Sequence, residues 1–519
     1  MFGGLLMSPG SAASVVRPAD AGLGEPEVAA LSATTAELLC LGGDARIAPA
    51  PGGGANRYGC APRPDAELIG FGSSTASTIS ADAFAAADSL RRRLLETCLG
   101  GVAAQAVYDQ EAGRVRAELL ALYRLTGAAE VVLAPSGTDL HLIAGQLVAA
   151  GAAAPPLAII PEETETGSGV PAALAGLGLQ PLEVRAVAAR APDGRPRDSG
   201  AADAEVEALA EAAIACGRRV LLVLIDVSKT GLVSPTPACA FGLAERHPAE
   251  VTVLVDACQL RLSAGSLGAY LDHGALVAVT GSKFMTGPAF SAALLVPPAL
   301  AARMAPCTVP AGLDVSGADW PSGWAAREQA PPQANFGLLL RWQAALTELE
   351  RFAAVPALHA AAVAAGLERA VDEALESHDE LEPLEGRPLD RGRAAAAGWD
   401  RRKTIFPFVL KGGAGGAWLG AEQTARVWRL MREDLSAEVG GMSLHARAAA
   451  RLRIELGQPV AAGIRDGQAV FALRLCLSSR LIAETADGDP RTTARLVSDA
   501  RLALAKAAWL ARRVASGTL

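Results

Sequence analysis

The stretch VAVTGSKFMTGPAFSAALLVP, residues 277–297, begins and ends as an apolar β-strand and carries Lys283 between small, turn-forming residues in its middle. Most lysines are solvated surface groups. In this chain, however, arginine is the usual cation, and lysine occurs only at Lys229, Lys283, Lys403, Lys411 and Lys506. Lysine does one thing arginine does not: it loses its proton and attacks a carbonyl carbon. The turn after this strand is therefore a candidate reactive position.

The surrounding sequence repeats the same rhythm. Short apolar runs at 130–135, 157–161, 181–187, 218–226, 251–257, 275–281 and 291–297 alternate with alanine-rich helical segments. Runs that are continuously apolar mark strands buried on both faces, so the pattern predicts an α/β fold with a mostly parallel seven-stranded sheet sandwiched by helices. In such sheets ligands gather beyond the carboxyl ends of the strands. This large domain is assigned to 81–350. Residues 1–80, rich in Gly, Ala, Pro and Ser, read as an irregular lead-in without a core element, and 351–519 as a smaller α+β domain with strands at 403–410 and 469–478. The Arg/Gly run at 385–402 reads as a surface loop.

Composition narrows the function. With 519 residues, 51% hydrophobic and 20% charged, the chain is a folded globular protein with room for a large core. A net charge of -8 and the lack of a basic stripe argue against nucleic acid. No GxxxxGK[ST] precedes a helix, which sets aside a P-loop ATPase. The histidines have no HExxH spacing and the eight cysteines no CxxC pair, which speaks against a metal site and a disulfide framework and suits a reducing cytoplasm. The N-terminus lacks a signal-peptide pattern, and the apolar stretch 140–160 is broken by His141, Gln146, Pro155 and Pro156, so no membrane span is expected.

The chemistry-bearing residues fall just after the strands. Ser136, Gly137 and Thr138 open a helix, as a phosphate site or a plain N-cap would. Asp256 ends the run 251–257, where a buried acid is costly unless it meets a cation or a donor. Lys283 follows on the next strand, so the two face one crevice. Lys229 follows the run 218–226 and either sits beside the reactive lysine or pairs with Asp226. Glu163 and Glu165 read as solvated loop acids.

Taken in order, the Ser-Gly-Thr at 136–138, Asp256, the Thr-Gly-Ser-Lys at 280–283 and the Gly-Pro at 287–288 resemble the fold-type I enzymes that depend on pyridoxal 5′-phosphate, of the aspartate aminotransferase-like superfamily. The likeness is greatest to the class V aminotransferase group, which includes cysteine desulfurases and kynureninase. It covers roughly 105–350 well and the C-terminal part loosely. The resemblance implies that Lys283 carries pyridoxal 5′-phosphate as a Schiff base and that Asp256 pairs with the pyridinium nitrogen. It places Gln259 at the phenolic oxygen, with Ser136, Gly137, Thr138, Thr280 and Ser282 around the phosphate. Lys229 falls where relatives often have Asn near the ring oxygen. It further implies Arg474, with Arg480 as competitor, for the carboxylate of an amino acid or amine substrate. The segment PPQANFG at 331–337 resembles the one that completes a neighbour's phosphate site, which implies a homodimer with shared sites and Asn335 as contributor.

Two departures qualify the resemblance. Thr166 and Gly167 stand where relatives stack an aromatic residue or histidine over the ring. The region 438–460 lacks the cysteine a desulfurase needs, which disfavours that branch and leaves aminotransferase or Cα/Cβ lyase chemistry; His445 there is a proton shuttle or a solvated loop residue. The alternative is a cofactor-free, degenerate relative that serves as scaffold or dimer partner.

Overall fold

Seven continuously apolar runs require two covering layers, and the chain supplies them. The computed structural model describes residues 26–50, 54–310, 312–313, 315–394, 398–413, 415–439 and 443–519. Among these, the strands in chain order are β1 (Leu68–Phe71), β2 (Glu130–Ala134), β3 (Leu157–Pro161), β4 (Glu183–Val187), β5 (Val220–Asp226), β6 (Val233–Ser234) and β7 (Val251–Ala257). They continue with β8 (Leu276–Thr280), β9 (Ala292–Val296), β10 (Leu381–Pro383), β11 (Ile405–Leu410), β12 (Arg453–Arg465) and β13 (Gln468–Cys476).

The large sheet runs β2-β9-β8-β7-β5-β3-β4, with the two-residue β6 paired to β5. Along this path only β9 is reversed; β8, β7, β5, β3 and β4 pair in parallel. All seven predicted runs are its strands. Side chains alternate between two cores: on β5, Leu222 and Leu224 pack with the helices of one face and Leu221 and Val223 with those of the other. Neither face is left for polar side chains, so Asp226, Asp256 and Thr280 all sit at the carboxyl ends of β5, β7 and β8.

The second sheet runs β1-β12-β13-β11-β10 and packs on the helices Ala357–Glu376, Ala421–Leu430 and Pro490–Ala515. The sequence pattern shows β11 and β13 but not β12, whose Gly-Gln-Pro interruption hides a strand with irregular register at Gly457 and Val460. It also misses β1. The lead-in is not free of core elements: β1 pairs in parallel with β12, and Phe71 is buried with Ile454 and Leu456. Only four residues long and holding Gly70, β1 leaves too little periodicity to detect. Farther upstream, buried Arg341 on the helix Phe336–Ala353 donates to the carbonyls of Leu39, Leu41 and Gly42. A Cβ on Gly337 would lie 2.3 Å from the Leu41 oxygen, so glycine is what allows this approach.

The run 385–402 is likewise more than a surface loop. Arg391, 1% exposed, forks onto Asp226 with Nε 2.6 Å from Oδ2 and Nη2 2.8 Å from Oδ1, and Tyr270 donates its hydroxyl to the same acid at 2.6 Å. The ion pair raises the Arg391 guanidinium against the effect of burial. Removing one member of a buried pair strands the other. Arg391→Ala is therefore expected to cost about 3–5 kcal/mol in urea unfolding, and the double change Asp226→Leu with Arg391→Met to recover part of that loss.

Candidate active site

Beyond the carboxyl ends of the large sheet lies a cleft of about 350 Å³, closed on its other side by β12, β13 and the lead-in. Asp256 and Lys283 both line it. Asp256 stands opposite Ala278 of β8 in register, and Lys283 occupies the turn that β8 leads into. Asp256 Oδ2 accepts from Thr166 Oγ1 at 3.1 Å, and Oδ1 from the Cys258 N–H at 3.2 Å. Burial works to raise its carboxyl, but His141, Lys283 and the Cys258 hydrogen bond outweigh that and hold it below the usual range. The acid is ionised and aimed at the cleft.

His141 is the partner that the sequence pattern did not single out. It follows Gly137 by one helical turn, a spacing that puts both on one face. Its Nδ1 lies 2.7 Å from the Gly137 carbonyl, and since a carbonyl only accepts, Nδ1 carries the hydrogen. Nε2 is 3.5 Å from Asp256 Oδ2 and has no hydrogen-bond partner, although the side chain is only 1% exposed.

The helix Gly137–Ala149 points its N-terminus at the cleft. Ser136 is present but committed. Its hydroxyl donates to Asp139 Oδ2 at 2.7 Å and its N–H to the same oxygen at 2.8 Å, in a capping box. The N–H groups of Gly137 and Thr138 have no intrahelical acceptor and remain for a ligand. A Cβ on Gly137 would come within 2.8 Å of Cys258 Sγ, so only glycine allows this close packing. Thr280 and Ser282 also line the cleft, with Thr280 donating to the Cys258 carbonyl at 2.6 Å.

Two expected residues lie elsewhere in this chain. Gln259 is buried but does not line the cleft; its Nε2 donates to the Ser74 carbonyl at 3.0 Å. Asn335 caps its helix by accepting from the Leu338 N–H and donates to the Gly42 carbonyl, both at 3.0 Å. Both amides are used to pin the lead-in or a helix end.

Arg474 does line the cleft, 2% exposed, whereas Arg480 is paired with Glu348 at 2.9 Å and does not. Arg474 Nη2 donates to Thr75 Oγ1 at 2.8 Å and to the Gln458 carbonyl at 2.6 Å, and Nε has no partner. The irregularity in β12 presents Gln458, Pro459 and Val460 to the cleft and turns that carbonyl toward Arg474. Lys229 lines the same wall. It does not pair with Asp226, which Arg391 and Tyr270 occupy; its Nζ donates to the Glu163 carbonyl at 3.0 Å.

Glu165 is not solvated. It is 1% exposed and binds Arg190 at 2.7 Å, the Ser228 hydroxyl at 2.5 Å and the Thr230 hydroxyl at 2.7 Å. Of the residues standing at the ring-stacking position, Thr166 is buried on Asp256 and Gly167 lines the cleft. The side chain of His445 lies outside the described residues. The loops after β5, β7 and β8 each place a side-chain-bearing residue in the left-handed region, at Val227 (φ 58°), Leu260 (φ 51°) and Thr286 (φ 60°). Such conformations cost on the order of 1–3 kcal/mol each and cluster where geometry serves function.

With that geometry in hand, comparison with solved structures is informative. The cysteine desulfurase CsdA (S-sulfonic acid) from Escherichia coli is similar over 85% of this chain and 95% of its own, at 15% identity and a TM-score of 0.50. The cystine C-S lyase C-DES, solved with its product cysteine persulfide, is similar over 83% and 97%, at 17% identity and 0.50. An apo cysteine desulfurase from Thermococcus onnurineus NA1 is similar over 83% and 93%, at 15% and 0.50. No family model and no curated protein matches the sequence. The chain shares its fold with these two cysteine desulfurases and the C-S lyase.

Burial, then Arg474 and Lys283, pull Lys229 down from 10.5 to about 8, with Glu165 and Glu163 opposing. Between those values the unfolded chain holds the proton that the folded chain has lost, so stability rises with pH there. Relative to Lys229→Gln, wild-type stability measured by urea unfolding is expected to climb from about pH 8 to 10.5 and to show no relative slope below 8.

Proposed function

We propose that this protein is a pyridoxal 5′-phosphate-dependent enzyme that acts on an amino acid or related amine, with Lys283 as the residue that holds the cofactor covalently. The observation that carries this reading is the convergence of Lys283, ionised Asp256 and unsatisfied Arg474 in one cleft, on a fold built to bind at that edge. The residues present fit the group. Gly137 and Thr138 offer free N–H groups to a phosphate, Gly137 packs too closely to admit a side chain, and Asp256 suits a protonated ring nitrogen.

When bound, the cofactor supplies an electron sink for the bonds at the substrate Cα. The chain does the rest. Asp256, its carboxylate fixed by Thr166 and the Cys258 N–H, would keep a ring nitrogen protonated. Thr280 and Ser282 stand with the helix end at the phosphate. Lys283 Nζ would hold the cofactor covalently and, when not so engaged, would be free to carry protons in the cleft. Arg474 offers its unpartnered Nε–H and its positive charge to the substrate carboxylate. Lys229 adds positive charge beside it.

The reaction type within this class is aminotransferase or Cα/Cβ lyase, and one similar structure is named a C-S lyase. Cysteine desulfurisation stays disfavoured because residues 438–460 carry no cysteine and Cys476 is fully buried in β13. Cys258, which reaches the cleft, is buried with its thiol pushed well above its ordinary range. The likeness to two desulfurases weighs on the other side. A homodimer with shared sites belongs to the same proposal, although the Asn335 amide is already used within its own chain. No helix among the described residues is long and apolar enough to cross a membrane, and a cytoplasmic setting completes the reading.

The purified protein is expected to be yellow, and borohydride to bleach it while leaving the added mass on the Lys283 peptide. Lys283→Ala should lose that covalent mass. Asp256→Asn should keep the cofactor but lower kcat by about 10²-fold or more, the scale of removing one preorganised electrostatic partner. A protein that stays colourless after incubation with pyridoxal 5′-phosphate would instead support the scaffold alternative.

A further inference from the structure

The cleft holds more positive charge than the chain balances. Arg57, Lys229, Lys283 and Arg474 line it against a single lining carboxylate, Asp256, while Arg46, which also lines it, is paired with Asp44. Glu165, whose charge reaches both Lys229 and Arg474, is already bound by Arg190, Ser228 and Thr230. Two of the cations share one wall, where Arg474 Nη1 donates to the Lys229 carbonyl at 3.3 Å.

Neither of these two cations is saturated. Arg474 is 2% exposed and its Nε has no partner. Lys229 Nζ donates to the Glu163 carbonyl at 3.0 Å, which leaves two of its three hydrogens for a ligand. A guanidinium is satisfied by one carboxylate held in parallel bonds. A second ammonium beside it then stays uncompensated in a partly dry site, where like charges raise each other's cost. The arrangement is relieved when a second anionic group arrives with the first.

We propose that Lys229 and Arg474 form a two-cation seat that selects amino acids bearing a second carboxylate, with Arg474 taking the α-carboxylate and Lys229 the side-chain carboxylate. This deepens the reading of the cleft as an amino-acid site and rests on it. Lys229 is the specificity-determining member, because Arg474 alone suffices for any amino acid. With its pKa at about 8, Lys229 keeps its proton at neutral pH and is charged for this task. Arg57, from the lead-in, adds positive potential around the same cleft and favours entry of a dianion.

Calorimetric titration of the purified protein at neutral pH with succinate, and separately with butyrate, tests the seat. Succinate is expected to bind at least about tenfold tighter, the factor that corresponds to about 1.4 kcal/mol. Lys229→Gln should erase that preference, and Lys229→Arg should retain it. Equal binding of the two acids by the wild type, a comparison that needs no variant, overturns the proposal. So does a Lys229→Gln chain that still prefers succinate. The visible absorbance of the same samples separates the two readings: a colourless protein that prefers succinate keeps the seat and loses the cofactor, and a yellow protein without preference does the reverse.

Discussion

Burial of the large sheet on both faces is the constraint from which the rest follows. When consecutive side chains enter two different apolar cores, no position within a strand tolerates a charge. In the central strands the charged groups are displaced to the ends, whereas the edge strand β4 carries an exposed Arg185 at its middle. Because β2, β3, β4, β5, β7 and β8 point the same way, their ends share one edge. The cleft is thus a consequence of topology before it is a matter of residue choice. Residue choice then decides what the cleft does, and here it holds an ionised acid, a half-buried lysine and a buried guanidinium.

The opposite wall is assembled from distant parts of the chain. Arg261, leaving the end of β7, is 1% exposed and donates to the carbonyls of Thr404 and Leu477 and to the Ser73 hydroxyl. One side chain from the large sheet therefore ties down the start of β11, the end of β13 and the lead-in together. Burial pulls its guanidinium down to about 10, still far above neutral pH, so the tie stays charged. The carbonyls it meets satisfy its donors without a counter-charge, and this adds to the positive potential of the region.

The fold was legible in the sequence wherever burial produced a periodic signal. The seven strands of the large sheet and the positions of Asp256 and Lys283 at the cleft follow from apolar runs and the residues after them, and Arg474 from the family resemblance. What escaped has a physical reason in each case. β1 is four residues with a glycine, and β12 is broken by the very irregularity that turns Gln458 toward Arg474. Arg391 sits in an arginine- and glycine-rich run whose composition marks solvent, yet its ion pair with Asp226 makes it interior. Glu165 looked solvated for the same reason, since composition does not reveal a buried network of hydroxyls. Gln259 and Asn335 carry amides whose partners are carbonyls of the lead-in, and those partners lie far away in the chain.

The docking of the lead-in onto the second sheet has a consequence for how the protein is made. Arg453 reaches back 388 positions to Asp65, and β1 joins the sheet only against β12, which is synthesised long after it. The earlier segment must wait, unpaired, for its partner strand. Contacts of such long range are slow to form, so the wall of the cleft that carries Tyr58, Ser74 and Thr75 is completed after the sheet it faces. Maturation of the site is in this sense the closing event of folding.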